Sequence, residues 1–153
     1  MNPLGRRAVL VRGSAIAVCA FTGLVTGRDV RAADDDDDFA FSAASMDEAL
    51  RALGGVPAVG SQIVLTVPDV AENGAVVPVT VECGLAGANE IYIVVEANPN
   101  PLCVRFTIPP GTEPFVSTRI KMAESSNVYA VVRANGKLYS TFKSTAVTVG
   151  GCG

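Results

Sequence analysis

Cysteine supplies the chemistry that this sequence offers, because its 153 residues include four cysteines and no histidine. The lack of histidine excludes Ser-His-Asp and Cys-His nucleophiles, imidazole-ligated zinc and a histidine proton shuttle. One thiol lies in the run Gly150-Gly151-Cys152-Gly153. Glycine loses the most conformational freedom on ordering, so this run is expected to be a mobile arm that carries the sulfur on the order of 13 Å from the domain. The placement predicts a carrier thiol; the alternative is a frayed tail whose cysteine pairs with another chain.

Residues 1–32 are typical of an export signal. Arg6-Arg7 precedes an apolar run from Gly13 to Thr26, and Val30-Arg31-Ala32 forms a small-residue cleavage site. Together these features predict a twin-arginine signal and an exported protein. The alternative of an uncleaved membrane anchor is disfavoured because the run is shorter than the about 20 residues of a comfortable span. A lipid anchor on Cys19 is disfavoured because Val18 precedes it where a small residue is expected.

Cleavage after Ala32 would change both the charge and the cysteine count. The remaining chain has seven basic and 14 acidic residues, a formal net charge of −7. Nucleic acid and, after cleavage, anionic membrane surfaces are therefore excluded as partners. Residues 33–41 include the run Asp34 to Asp38, which is expected to be a solvated, flexible tail without a metal site. Cys83, Cys103 and Cys152 remain, and an odd number predicts either intermolecular pairing or a free reactive thiol.

Residues 42–149 are predicted to form one helix followed by a β-sandwich. Ser45 and Glu48 make a capping box that starts a short amphipathic helix, and Gly54-Gly55 ends it. From Gln62 the apolar pattern changes to period two, and Asn135-Gly136 predicts a two-residue hairpin. The fold class is mainly β: an antiparallel immunoglobulin-like sandwich of about seven strands, with the C-terminal glycine-cysteine arm at 150–153. The predicted strands are Ile63 to Val67, Val76 to Cys83, Glu90 to Glu96, Leu102 to Ile108, Phe115 to Met122, Val128 to Ala134 and Leu138 to Val149.

Alternation along the strands predicts which side chains face the core. Cys83 is in phase with Val77, Val79 and Val81, whereas the apolar face of the fourth predicted strand leaves Cys103 pointing outward. A structural disulfide between Cys83 and Cys103 is still a candidate, since the phase can slip where Cys83 meets Gly84. It would contribute roughly 3 kcal/mol. The rival pairing joins Cys152 to one of these two and is less favoured, because a terminal cysteine samples many positions.

Four segments of the sequence form a recognisable set: the run from Pro68 to Val79, the run Asn98-Pro99-Asn100-Pro101-Leu102, Arg119-Ile120-Lys121-Met122-Ala123 and the terminal Gly150-Gly151-Cys152-Gly153. Together they resemble the SoxY family, the sulfur carriers of the periplasmic thiosulfate-oxidation (Sox) system. The resemblance extends from the helix at Ser45 to the C-terminus and includes the twin-arginine signal. It implies that Cys152 is the covalent attachment site and that Gly150, Gly151 and Gly153 form the carrier arm.

The resemblance also implies partners and a place in the cell. A SoxY chain forms a heterodimer with SoxZ in the periplasm. Its cysteine is joined to thiosulfate in an oxidation by the c-type cytochrome SoxAX, the hydrolase SoxB releases sulfate, and the sulfane dehydrogenase SoxCD, where present, oxidises the remaining sulfur. The chain itself would then be a carrier with no catalytic site, cofactor or metal, and Cys83 and Cys103 would have no substrate role.

One departure from the family pattern concerns the arm. The family tail usually reads Gly-Gly-Cys-Gly-Gly, so here the α-carboxylate of Gly153 lies one residue closer to the sulfur. A nearby negative charge disfavours the thiolate, and no Lys or Arg adjoins Cys152, which predicts a slow nucleophile in the free protein. Two other classes remain open at this stage: a secreted immunoglobulin-like binding domain, and a module anchored by an intermolecular disulfide at Cys152.

Overall fold

A computed structural model describes residues 39–148 and shows two β-sheets packed face to face, with short helical segments on the outside of the larger sheet. The longer helical segment is α1 (Met46–Ala52). The strands are β1 (Ala58–Val59), β2 (Ile63–Thr66), β3 (Val70–Ala71), β4 (Val77–Cys83), β5 (Ala88–Val95), β6 (Leu102–Thr107), β7 (Phe115–Ile120), β8 (Ser126–Ala134) and β9 (Lys137–Val147).

The larger sheet has the order β1-β9-β8-β5-β6, with β3 also paired to β9, and the smaller sheet has the order β2-β4-β7. Every pairing is antiparallel except those of β1 and β3 with β9, which are parallel. The predicted immunoglobulin-like sandwich is confirmed, and each of the seven predicted runs overlaps one observed strand. The structure adds β1 and β3, which have two residues each and are too short to show alternation.

The main core lies between the two sheets, as alternation predicts. Val77, Val79 and Val81 of β4 are at most 1% exposed and face the buried residues of β5 and β8. On β7, Val116 and Ile120 are buried while the residues between them face solvent, apart from the half-buried Thr118. The hairpin prediction also holds, because Ala134 pairs with Lys137 and the two intervening residues, Asn135 and Gly136, have φ values of 50° and 74°. Such values suit the twist of a two-residue hairpin.

Helix α1 covers the outer face of the larger sheet. Ser45 Oγ accepts a hydrogen bond from Glu48 N–H at 3.3 Å, and the Glu48 carboxylate accepts one from Ala44 N–H at 3.1 Å, one residue earlier than the capping box predicts. Gly55 N–H bonds to Leu50 O at 2.8 Å and ends the helix as predicted. Ala49 and Leu53 pack in a second core cluster with residues of β5, β6, β8 and β9.

Residues 39–41 belong to the fold, which corrects the predicted boundary of the flexible tail at residue 41. Residues 39–42 are helical, and Ala40 is 0% exposed in the second core cluster. The small Ala40 and Ala43 side chains allow this segment to approach the sheet closely. The acidic run ends at Asp38 and lies outside the described residues.

A partly buried ionic cluster joins the helix to the sheet. The Glu90 carboxylate, 12% exposed, accepts from the guanidinium groups of Arg105 and Arg133. Arg133 also donates to the Leu53 carbonyl oxygen at 2.9 Å, next to the end of α1. Tyr92 donates its hydroxyl proton to Glu90 at 2.7 Å, and burial, followed by this hydrogen bond, raises the pKa of Tyr92 to about 12. The cluster therefore connects the end of α1 to β5, β6 and β8. Within residues 39–148, no helix is long and apolar enough to cross a membrane.

Candidate functional site at the root of the C-terminal arm

The predicted attachment residue, Cys152, and the arm residues Gly150, Gly151 and Gly153 lie outside the described residues, as do Arg6 and Arg7 of the export signal. The description ends at Thr148, just after β9. Cys152 is the fourth residue after Thr148, so their Cα atoms can be no more than about 14 Å apart. The surface around Thr148, called here the arm root, is therefore the part of the domain nearest along the chain to the predicted thiol.

Hydrogen bonds fasten the arm root to two neighbouring segments. Thr148 N–H donates to the Ala71 carbonyl oxygen at 3.1 Å, directly after the parallel pairing of β3 with β9. Val147 N–H donates to Ser125 Oγ at 2.9 Å. Further back on the strand, the Lys143 ammonium forms an ion pair with Asp69 at 2.9 Å. Because Val147 and Thr148 both donate their main-chain N–H groups to neighbouring segments, the chain leaves the domain from a defined point.

Gly74 packs the root with little room to spare. Met122 N–H donates to the Gly74 carbonyl oxygen at 2.7 Å. A Cβ atom added to Gly74 would lie 2.5 Å from the Met122 carbonyl oxygen and 2.9 Å from Val147 Cγ1. Real Cβ contacts are longer than this, so glycine is required here by close approach. The run after β3, the run after β7 and the end of β9 therefore meet at one point.

Asn98 secures the run after β7 from the other side. Its Nδ2 donates to the Lys121 carbonyl oxygen at 2.8 Å, and its Oδ1 accepts from Ala123 N–H at 2.9 Å. The same Nδ2 lies 3.4 Å from Cys103 Sγ. A single side-chain amide thus fixes both ends of the stretch that contacts Gly74. Three of the four segments that resemble the SoxY family, those containing Gly74, Asn98 and Lys121, come together at the arm root.

An open pocket of about 560 Å³ lies beside the root. It contains one cationic side chain, Lys121, and one anionic side chain, Glu124. Its lining residues are Asn73, Gly74, Ala75, Lys121, Met122, Ala123, Glu124, Ser125, Val147 and Thr148. A second pocket of similar volume lies on the other side of Ser125, where Glu96 is the charged residue. The described part of the chain contains no group of three or more His, Cys, Asp or Glu side chains placed to hold a metal ion.

Cys83 and Cys103 are free thiols in the structure, so the disulfide considered from the sequence is not formed. Cys83 precedes the loop into the start of β5 at Ala88, whereas Cys103 lies near the other end of β5, where Val94 pairs with Leu102. That length of strand is roughly 20 Å. A disulfide requires Cα atoms no more than about 7 Å apart, which these positions do not allow.

The predicted orientation is right for Cys83 and wrong for Cys103. Cys83 is 9% exposed in the main core. The pairing of β5 with β6 shifts register between Ile93 and Val94, and this bulge turns Cys103 so that it packs against the main core instead of facing outward. Burial raises the pKa of both thiols, and hydrogen bonds from Leu85 to Cys83 and from Asn98 to Cys103 oppose part of that effect.

Comparison with known proteins finds a matching family model and a similar solved structure from the same family. The model of the family described as "Sulfur oxidation protein SoxY" matches residues 50–152. The solved structure of the sulfur carrier protein SoxY from Chlorobium limicola f thiosulfatophilum is 39% identical, with 71% of this chain and 100% of that chain covered and a TM-score of 0.61. A superoxide reductase (neelaredoxin) from Ignicoccus hospitalis is 23% identical over 57% of this chain and 80% of its own, with a TM-score of 0.47, which is too low to support any inference. No curated protein sequence matches the chain.

Proposed function

The chain belongs to the SoxY family of sulfur oxidation proteins, and we propose that Cys152 carries sulfur intermediates covalently during thiosulfate oxidation. The observation that carries the proposal is the extent of the family match, which continues through residue 152 and so includes Cys152 and the two glycines before it. The arm root gives physical support. The domain holds the chain firmly as far as Thr148, and only glycine and Val149 separate this anchor from the thiol.

The proposed cycle uses the thiol as a handle. Oxidative loading joins Cys152 Sγ to the outer sulfur of thiosulfate, giving Cys–S–S–SO₃⁻ and releasing one proton and two electrons to the c-type cytochrome SoxAX. Hydrolysis by SoxB adds one water, cleaves the terminal S–S bond and releases sulfate and two protons, which leaves the persulfide Cys–S–S⁻. A sulfane dehydrogenase of the SoxCD type then oxidises that sulfur where it is present. The chain contributes the attachment atom and the reach, and the partners contribute the catalysis.

A short glycine arm suits this task for a physical reason. Each partner must admit the sulfur into its own active site, and glycine residues have no side chains to collide with the walls of a narrow cleft. The three residues between Thr148 and Cys152 place the two Cα atoms four steps apart and allow a reach of about 14 Å when extended. We further propose that the chain pairs with SoxZ and acts in the periplasm after export by the twin-arginine signal at Arg6-Arg7.

Reconstitution tests the proposal. The mature chain is combined with SoxZ, SoxAX, thiosulfate and an oxidised cytochrome acceptor, and reduction of the acceptor is followed by absorbance. We expect Cys152→Ser to abolish thiosulfate-dependent reduction, while the matched variant Cys103→Ser retains it. Reduction that survives in Cys152→Ser would overturn the proposal, as would equal losses in the two variants.

A further inference from the structure

We propose that the pocket beside the arm root binds the carrier's own cargo: residues 149–153 fold back so that the sulfur oxyanion attached to Cys152 lies against Lys121. This inference rests on the proposed function, because it needs a negatively charged adduct on the thiol. It assigns the pocket one occupant, the loaded arm of the same chain. The ligand class is a terminal sulfonate, as in Cys–S–S–SO₃⁻.

The position of the pocket favours this occupant. Val147 and Thr148 form part of its lining, so the arm begins at the pocket wall. The chain from Thr148 to Cys152 can extend about 14 Å. This length is more than the chain needs to turn back into the pocket of about 560 Å³. A segment already tethered at the rim has a high effective concentration in the pocket, so weak contacts are enough to hold it.

Charge favours the same occupant. Within residues 39–148, the ion pairs of Arg105, Arg133 and Lys143 use Glu90 and Asp69, whereas Lys121 forms no ion pair and is exposed at the pocket. Its ammonium group is therefore available to a sulfonate. Asn73 adds a donor, because its Oδ1 accepts from Ala75 N–H at 2.9 Å while its Nδ2 has no bond within the described part of the chain.

The other charged residues near the arm root determine where a sulfonate is expected to lie. Glu124 also lines the pocket and repels an anion, so a sulfonate is expected at the Lys121 side. The pocket beyond Ser125 contains Glu96 and no cation, which makes it the poorer site for the same ligand. The unloaded arm has no sulfonate, so it gains no contact between a sulfonate and Lys121. The loaded arm is therefore docked and the empty arm is released, and docking shields the S–S bond from stray thiols until a partner engages it.

The experiment loads the thiol chemically, without any Sox enzyme. Tetrathionate reacts with the thiol of Cys152 to give Cys–S–S–SO₃⁻, thiosulfate and one proton, so no further oxidant is needed. Amide NMR spectra of the mature chain, alone and with SoxZ, are recorded before and after loading. We expect loading to shift the Gly74, Ser125 and Thr148 amide signals, and we expect no such shifts in Cys152→Ser treated in the same way.

Two neutralising variants make the test directional. The rate at which dithiothreitol removes the adduct should rise about two- to fivefold in Lys121→Gln, the range expected when one exposed ion pair is lost. The rate should fall in Glu124→Gln and return towards the original in Lys121→Arg. Lys137→Gln, in the distant hairpin, is the matched control and should leave the rate of adduct removal unchanged.

The outcomes separate this proposal from the carrier proposal. Unshifted root amides after complete loading, or Lys121→Gln and Lys137→Gln with equal release rates, would overturn docking and leave the carrier function intact. If Cys152→Ser retained thiosulfate-dependent reduction of the acceptor in the reconstituted system, the carrier function would be overturned. That result would not bear on docking of the chemically loaded arm. Salt screens an ion pair between Lys121 and the sulfonate. Docking would therefore be supported if salt raised the rate of adduct removal by dithiothreitol in the wild type but not in Lys121→Gln.

Discussion

Replacing Gly74 by alanine tests how closely the three segments of the arm root are packed. The new methyl group would lie 2.5 Å from the Met122 carbonyl oxygen and 2.9 Å from Val147 Cγ1. One neighbour is main-chain, so relief requires a backbone shift, and the 2.7 Å bond from Met122 N–H to the Gly74 carbonyl oxygen lies in the path of that shift. Overpacking of this kind costs typically 1–3 kcal/mol, and we expect Gly74→Ala to lower the free energy of unfolding by about 2 kcal/mol.

Urea unfolding followed by circular dichroism measures the effect as a lower midpoint with an unchanged slope. The matched control is Gly84→Ala, because a Cβ atom there would meet nothing closer than 3.7 Å. That variant should stay within about 0.5 kcal/mol of the wild type or gain slightly from the reduced entropy of the unfolded chain. Hydrogen exchange should also quicken at Val147 and Thr148 in Gly74→Ala alone. A Gly74→Ala protein as stable as the control would refute the close packing of the root.

Three further predictions concern the rest of the domain. Ser45→Ala removes the side-chain cap of α1 and should cost about 1 kcal/mol in urea unfolding, with no loss expected for the exposed Ser61→Ala. Glu90→Gln leaves two partly buried guanidinium groups without their carboxylate and should cost about 2–4 kcal/mol by the same assay, whereas the exposed Glu82→Gln should be near neutral; equal costs would contradict the ionic cluster. Burial raises the pKa of the Cys83 and Cys103 thiols, so iodoacetamide should modify both more slowly than glutathione at pH 7 to 8, as read by peptide mass spectrometry.

The raised pKa of the Cys83 and Cys103 thiols also determines how they change the stability of the fold with pH. Folding raises the pKa of both thiols, so the folded state holds their protons more tightly than the unfolded chain does. The two thiols therefore make their full contribution to the free energy of unfolding below the pKa of an unfolded thiol, about 8.5. This contribution decreases as the pH rises above that value. Stability should therefore decrease from pH 8 to pH 10, and by less in Cys103→Ser. An equal decrease in the variant would show that Cys103 contributes nothing to it.

Local patterns were enough to predict α1 and seven of the nine strands of the described residues. Alternation located the strands with bounds that differ from those observed by a few residues, and Ser45, Glu48 and Gly54-Gly55 located α1, because each of these signals acts over a few neighbouring residues. The strands β1 and β3 escaped prediction since two residues cannot show a period. Residues 39–41 escaped it because the burial of Ala40 depends on the sheet face that it meets and not on its neighbours in sequence.

The site was predictable only in part. The orientation of Cys103 depends on a bulge in β6, and the separation of the two described cysteines depends on the direction of β5. The bonds of Asn98 to Lys121 and Ala123, and of Thr148 to Ala71, use main-chain groups that have no sequence signature and join residues more than 20 positions apart. Three of the four segments that resemble the SoxY family meet at the arm root, but the sequence alone offered no reason why those segments should meet.

The central claim is that Cys152 carries sulfur cyclically, and intact-mass spectrometry of the mature protein from cells grown on thiosulfate tests it most directly. The protein is measured with and without reductant, beside the Cys152→Ser variant. We predict a set of reductant-sensitive sulfur adducts that map to Cys152 and are absent from the variant. Two results together would contradict the claim. The Cys152 thiol would be always unmodified, or held permanently in a cross-linked dimer, and cells carrying Cys152→Ser would still oxidise thiosulfate.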